Sequence, residues 1–321
     1  MKLRNNTRQH KVIRAVHPNA GVEAWFQTQL EALLDEATRD AVLMITQAWS
    51  SAPPTVGIAM DRYVQIRVSQ KRKDVPYQGW TEDGEPYTWY NSVPIEPQKT
   101  IVTLAVDAPS STKKIDAALK LWGKKWLGKF DKLSVVVSKK FATRAFSATD
   151  VSLKAALRDA GFTVAFKSTP KALESYKLVV AENVGLIRNL HASLYNKIQQ
   201  DTWASVRAGA DMATLSERLH KSYGIEKKRA ALIARDQNAK AKAVLETTRR
   251  QELGLRRAIW QHSSGGKEPR PLHVKWGREG AVFDLDKGMY DSDEGEWIFP
   301  GQLINCRCTS RAIIPGFDDE N

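Results

Sequence analysis

Asn305-Cys306-Arg307-Cys308-Thr309-Ser310-Arg311-Ala312-Ile313-Ile314-Pro315 closes a stretch that runs back to Trp260, and it holds the only two cysteines of the chain. The β-branched residues ahead of a proline predict a short strand over 306–314. In a strand, residues two apart share a face, so both thiols point the same way. Their Cα atoms then lie about 6.5 to 7 Å apart, at the upper limit for a disulfide, and an internal bridge is strained. Two thiolates on one zinc ion need only sit about 3.8 Å apart, which side chains leaning together can reach. His273 and His262 are the nearest nitrogen donors upstream. The expected metal set is therefore His262, His273, Cys306 and Cys308. The same four residues also read as two inert buried cysteines and two surface histidines, because Cys-x-Cys lacks the specificity of paired Cys-x-x-Cys motifs.

Working back toward the N-terminus, the apolar spacing is helical. Trp25, Phe26, Leu30, Leu33, Leu34, Ala37, Ala41, Ile45 and Trp49 recur on one face, and Pro53-Pro54 ends the run. Leu119, Trp122, Trp126 and Phe130 line one side of a second helix over 110–146, with Lys113, Lys120, Lys124, Lys125, Lys129 and Lys132 elsewhere on it. Tryptophans at that spacing predict core and not a phosphate-holding surface. Ser147 to Asp150 read as the cap of a further helix toward Gly161, and Phe162 to Phe166 as a short extended piece before a helix opened by Pro170. Val180, Val184, Ile187, Leu190, Leu194 and Ile198 define a long amphipathic helix. A shorter helix then ends before Gly224, and another runs from Glu226 to Glu252. Between residues 55 and 109 the pattern changes. Tyr63–Val68 and Thr100–Val106 look like strands, and the prolines and aromatics between them look like the tip of a β-ribbon.

The fold class expected is α+β: a mainly helical N-terminal and central region with an inserted β-ribbon, followed by a small C-terminal α/β domain. The boundaries read as a flexible basic arm over 1–20, a helical domain over 21–160 with its ribbon at about 55–109, and a helical region over 161–256. The C-terminal domain then covers 257–315 and an acidic tail 316–321.

At 321 residues the chain has ample length for a buried core. No apolar run approaches the roughly 18 residues of a membrane span, and no signal-peptide core follows Met1, so synthesis in the cytoplasm and reduced thiols are expected. The net charge is +13, unevenly spread. From Ile259 onward there are 7 Lys/Arg against 11 Asp/Glu, and before it 42 against 25, so the body carries +17 and the C-terminal end −4. Such a body is drawn to polyanions, DNA among them, although basic helical faces are most often simply solvated.

The closing stretch resembles the C-terminal domain of the phage Mu F-like head morphogenesis proteins, minor head proteins of tailed bacteriophages. The resemblance rests on Trp260, Arg270, His273, Gly280, Phe283, Pro300, Gly301, Asn305, Cys306, Arg307 and Cys308. It extends weakly back to about residue 180 through Arg229 to Gln237, where Arg235 is placed to bond the C-terminal domain or to stand exposed. A histidine travelling with the cysteine pair implies a shared structural zinc site. This chain departs from the pattern in having Gly265-Gly266-Lys267-Glu268-Pro269 where relatives often have an aspartate, which leaves the fourth ligand open between His262 and an oxygen donor.

The resemblance implies a virion protein of the phage head and no enzyme. It implies contact with the portal protein, or with the major capsid or scaffolding protein, during head morphogenesis, and possible roles in DNA packaging or ejection. Phage DNA is a further expected partner through the basic helices. The alternatives are a nucleic-acid-cleaving enzyme using His262 and His273 with Arg270 and Lys267, and a non-specific DNA-binding head protein.

Overall fold

A computed structural model describes residues 12–50, 77–80, 86–89, 108–210, 212–264 and 268–315. Among these residues the fold is α+β, as expected. It has five helices and a small antiparallel sheet in the C-terminal region. The helices are α1 (Ala20–Ser50), α2 (Ala108–Asp159), α3 (Pro170–Arg207), α4 (Met212–Glu252) and α5 (Pro271–Glu279). The strands are β1 (Val12–Ile13), β2 (Tyr77–Trp80), β3 (Pro86–Trp89), β4 (Arg257–Gln261), β5 (Val282–Asp284), β6 (Met289–Asp291), β7 (Glu296–Ile298) and β8 (Thr309–Ile313).

The chain divides into two compact units. One comprises Met1–Ala37, Lys125–Leu194 and Tyr223–Asn321, and the other Thr38–Lys124 and Tyr195–Ser222. The second unit buries Ala41, Ile45, Trp49, Leu119, Trp122, Ile198 and Leu219, and Trp122 stacks on Tyr195. In the first unit Phe26 stacks on Phe141 with ring centroids 4.2 Å apart, among buried Leu30, Leu34, Trp126, Phe130, Ile187 and Leu190. The tryptophans of α2 are thus core, as their spacing predicts. His191 is buried too, against the Phe130 ring.

Still in the first unit, the order β1-β8-β4-β5 makes a four-stranded antiparallel sheet, and β6 pairs with β7 beside it. Ile13, Leu153, Leu157, Leu255, Ala258, Trp260, Trp276, Phe283 and Ala312 share one core with Cys306 and Cys308. The expectation of a flexible arm over 1–20 fails from Val12 onward. Val12 and Ile13 pair with Ile313 and Ala312, and Ile13 and Val16 are buried in this core. Residues 1–11 and the acidic tail 316–321 lie outside the described residues.

Two helix boundaries differ from the sequence reading, each where side chains bond across the fold. No cap forms at 147–150. Thr149 Oγ1 donates back to the Ala145 carbonyl at 2.8 Å, and Asp150 accepts both forks of Arg249, so α2 continues and carries Leu153 and Leu157 into the C-terminal core. Gly224 does not end a helix either. Buried Ser222 bonds Asp201 and buried Glu226 bonds Ser193, and α4 runs unbroken between them. Pro170 does open α3, with the Thr169 hydroxyl accepting the Ala172 N–H at 3.1 Å. The strands expected at 63–68 and 100–106 lie outside the described residues. The aromatic tip between them is itself a hairpin, Tyr77 opposite Trp89 and Trp80 opposite Pro86.

Candidate metal centre

Four pieces of chain supply the site. Strand β4 carries Trp260 inward and ends one residue before His262. Helix α5 carries His273 on its buried face with Trp276. Strand β6 contributes Asp291. The cysteines come from an irregular stretch between the Gly301 turn and β8. The strand expected to begin at Cys306 begins instead at Thr309, because the chain is turned outward at Asn305, which sits in the left-handed region at φ 61°. Asparagine tolerates that conformation better than most side chains.

The Asn305 turn is bolted to α4. Its backbone N–H donates to Asp236 Oδ1 at 3.0 Å, and its Oδ1 accepts Arg235 Nη2 at 3.3 Å. Arg235 therefore does bond the C-terminal domain. On the other side, Arg270 Nη1 donates to the Ile304 carbonyl at 3.2 Å and its Nε lies 3.3 Å from Glu294 Oε1. The Arg270 of the quoted pattern thus holds together the turns that frame the cysteines.

His273 Nδ1 lies 3.5 Å from Cys306 Sγ and 3.7 Å from Cys308 Sγ. These three atoms all lie within 4.8 Å of one another, in a group that can hold a metal ion. His273 is 2% exposed and its ring packs against both Trp260 and Trp276, with centroids 5.0 and 5.4 Å away, which fixes its plane. Its Nε2 stands 3.2 Å from Oδ2 of Asp291, itself 1% exposed, while Asp291 Oδ1 accepts the backbone N–H groups of Asp293 and Glu294. When a cation sits between the sulfurs, a proton on Nε2 directed at the carboxylate leaves the Nδ1 lone pair for it, the tautomer a metal ligand requires.

Both cysteines are free and buried. The Cys306 thiol is held down at about 4, first by the hydrogen bond from Cys308 and also by His273 and by the backbone N–H groups of Cys308 and Gly301, against the opposing effect of burial. Cys308 is pushed up by the neighbouring Cys306 sulfur and by burial, partly offset by the Trp260 indole and the Ser263 N–H. The pocket thus stabilises thiolate charge at Cys306 before any cation is considered. Gly301, at φ 90°, supplies one of those N–H groups from a conformation that side-chain-bearing residues rarely adopt.

His262 occupies a different position from the other three. Its Nδ1 is 3.6 Å from Cys308 Sγ, but it stands outside the mutually close group and is half-buried. Its backbone presses on α5 at Gly277, where a Cβ would lie 2.4 Å from His262 Cβ and 2.7 Å from its N. Gly277→Ala is therefore expected to displace the 261–264 segment and to destabilise the protein by about 1–3 kcal/mol. A thermal melt checks the cost, and the chemical shifts of the His262 ring should move more than those of His273.

Of the residues singled out from sequence, His273, Cys306 and Cys308 come together, His262 lies beside them, and Lys267 is outside the described residues. Asp291 and Gly277 were not anticipated. Nor was the buried row on α4 beneath the sheet. There Lys242 Nζ lies 3.0 Å from Glu246 Oε2, Arg250 Nη2 lies 2.5 Å from Glu246 Oε1, and Arg250 Nη1 donates to Ser310 Oγ on β8 at 2.8 Å. Its i, i+4, i+8 spacing was the available signal.

Residues 196–311 match the family described as phage Mu protein F like protein. An uncharacterized protein of Haemophilus influenzae is 26% identical over 148 residues, covering 46% of this chain and 31% of that protein. The chain therefore spans less than a third of the length of that relative. No solved structure matches. The matched segment contains α4, the sheet strands β4 and β5, and the whole donor cluster, so it is this C-terminal part of the chain that is similar to the phage Mu protein F like family.

Proposed function

We propose that the protein is a minor head protein of a tailed phage, attached to the portal or the inner capsid during head assembly, with a C-terminal module clamped by a structural zinc ion. The observation that carries the clamp is the buried His273–Cys306–Cys308 group with Asp291 behind the imidazole. Zinc–sulfur bonds of about 2.3 Å and zinc–nitrogen bonds of about 2.0–2.1 Å in a tetrahedron imply sulfur-to-nitrogen edges of about 3.5 Å, and the two edges from His273 are 3.5 and 3.7 Å. His262, 3.6 Å from Cys308 Sγ, is the nearest further donor and the proposed fourth ligand. Zinc bound there would cross-link helix α5 to the segment that leads into β8. The ligand type argues for zinc over calcium or magnesium, which take oxygen donors.

This arrangement supports a structural over a catalytic reading. Both nitrogens of His273 face protein groups, and Arg270 is engaged with Glu294 and Ile304, so neither is offered to a polynucleotide. DNA contact through α2 remains part of the proposal, because Lys113, Lys124, Lys125, Lys132 and Lys140 are exposed along it.

Elemental analysis of purified protein is expected to give close to one zinc per chain, and zinc-free protein of intact fold would overturn the clamp. Asp291→Ala is expected to weaken zinc affinity by about 10–100-fold in competition with a chromophoric chelator. Co-purification with portal protein from infected cells tests the assembly role. Retention on DNA that vanishes with salt, with no portal contact, would favour a DNA-binding head protein instead.

A further inference from the structure

Between α2 and α3 the chain runs Phe162-Thr163-Val164-Ala165-Phe166, half-buried and exposed in strict alternation. Phe162, Val164 and Phe166 pack on the C-terminal core, while Thr163 and Ala165 face solvent. This is the side-chain pattern of a β-strand, yet the segment belongs to no sheet. Among the described residues, the main chain of Thr163 through Phe166 makes no hydrogen bond. Both ends are nevertheless fixed. The Phe162 N–H donates to Leu157 O at 2.9 Å, and the Lys167 carbonyl accepts Arg249 Nη1 at 2.8 Å, with that guanidinium 4.9 Å above the Phe166 ring.

A segment fixed at both ends, alternating in exposure and without main-chain partners among the described residues, presents an open strand edge, a template for pairing with another chain. Beside it a groove of about 350 Å³ is lined by Val151, Lys154, Ala155 and Arg158 of α2 and by Phe162 and Val164. Val151 is 65% exposed there. Lys154 and Arg158 are exposed along the groove and Lys167 is exposed just past the segment, whereas the nearby acids are occupied, Asp159 by Arg14 and Glu252 by Arg249.

The geometry points to residues 163–166 as a β-augmentation site for an extended partner strand that alternates acidic and apolar residues. Main-chain pairing supplies the affinity, the groove takes one apolar side chain, and the cationic rim selects acidic neighbours. The inference stands apart from the metal centre.

The test uses the full chain and a fluorescein-labelled peptide of three Glu-Val repeats, read by fluorescence anisotropy. Saturable binding that weakens with salt and exceeds that of a Lys-Val repeat at least ten-fold is expected. Ala165→Pro removes one edge N–H and is expected to reduce binding at least ten-fold. Arg158→Glu, a surface change that leaves the edge intact, should reduce it several-fold, with circular dichroism unchanged for both variants. Absence of saturable binding, or binding indifferent to both substitutions, would overturn the proposal. So would a concentration-dependent dimer lost in Ala165→Pro, which would make a second copy the occupant, or oligo-dT bound by the same residues in place of the peptide.

Discussion

Cys306→Ser is expected to unfold the C-terminal module and leave the protein without metal. Serine keeps the volume and loses the thiolate, and a structural zinc contributes on the order of 10–16 kcal/mol to the folding of small metallo-domains near neutral pH. The loss is expected to reach beyond the ligand, because Cys306 lies in one core with Trp260, Trp276, Phe283 and Ala312. A strong chelator should produce the same state in the unmodified chain and added zinc should reverse it. Tryptophan fluorescence reports both, since Trp260 and Trp276 pack against His273. A Cys306→Ser protein that melts like the parent would show that packing alone holds the module.

Glu246→Ala is expected to be the most damaging change away from the donor cluster. The carboxylate is 2% exposed and lies between Lys242 and Arg250, which is 1% exposed. Burial presses the Arg250 guanidinium toward its neutral form, and the Glu246 charge opposes that pressure. Removing it leaves two cations buried without a counter-charge, at a cost of about 3–5 kcal/mol. Because Arg250 also holds Ser310 of β8, the damage should spread into the sheet. Urea denaturation measures the loss. Replacing Lys242, Glu246 and Arg250 together with apolar residues should cost far less than Glu246→Ala alone, and a triple variant as unstable as the single one would contradict the charge argument.

Much of the donor cluster was legible in sequence because the ligating residue types are scarce. With two cysteines and six histidines in the chain, few pairings exist, and the spacing of His273 to the cysteine pair singled it out. Asp291 was not legible. It sits in Asp291-Ser292-Asp293-Glu294-Gly295, which reads as a solvated turn, and only the fold brings its carboxylate under an imidazole eighteen residues earlier. Gly277 was hidden for a related reason. A glycine inside a helix looks like a weakness until the chain crossing it is known. The helical face of α1 and the core tryptophans of α2 were plain from period alone, whereas the breaks expected at 147–150 and at Gly224 were not real. Local capping preference lost there to side-chain bonds made across the fold by Asp150 and Glu226.

Val12 and Ile13 complete the sheet by pairing with Ile313 and Ala312. During synthesis β1 emerges well before β8, so Val12 and Ile13 gain their strand partner only after β4 and β5 have been made. A chain cut before β8 lacks the strand that β1 pairs with and cannot join β1 to the rest of the sheet. The antiparallel seam between two segments so far apart in sequence thereby ties the closure of the module to both of them at once.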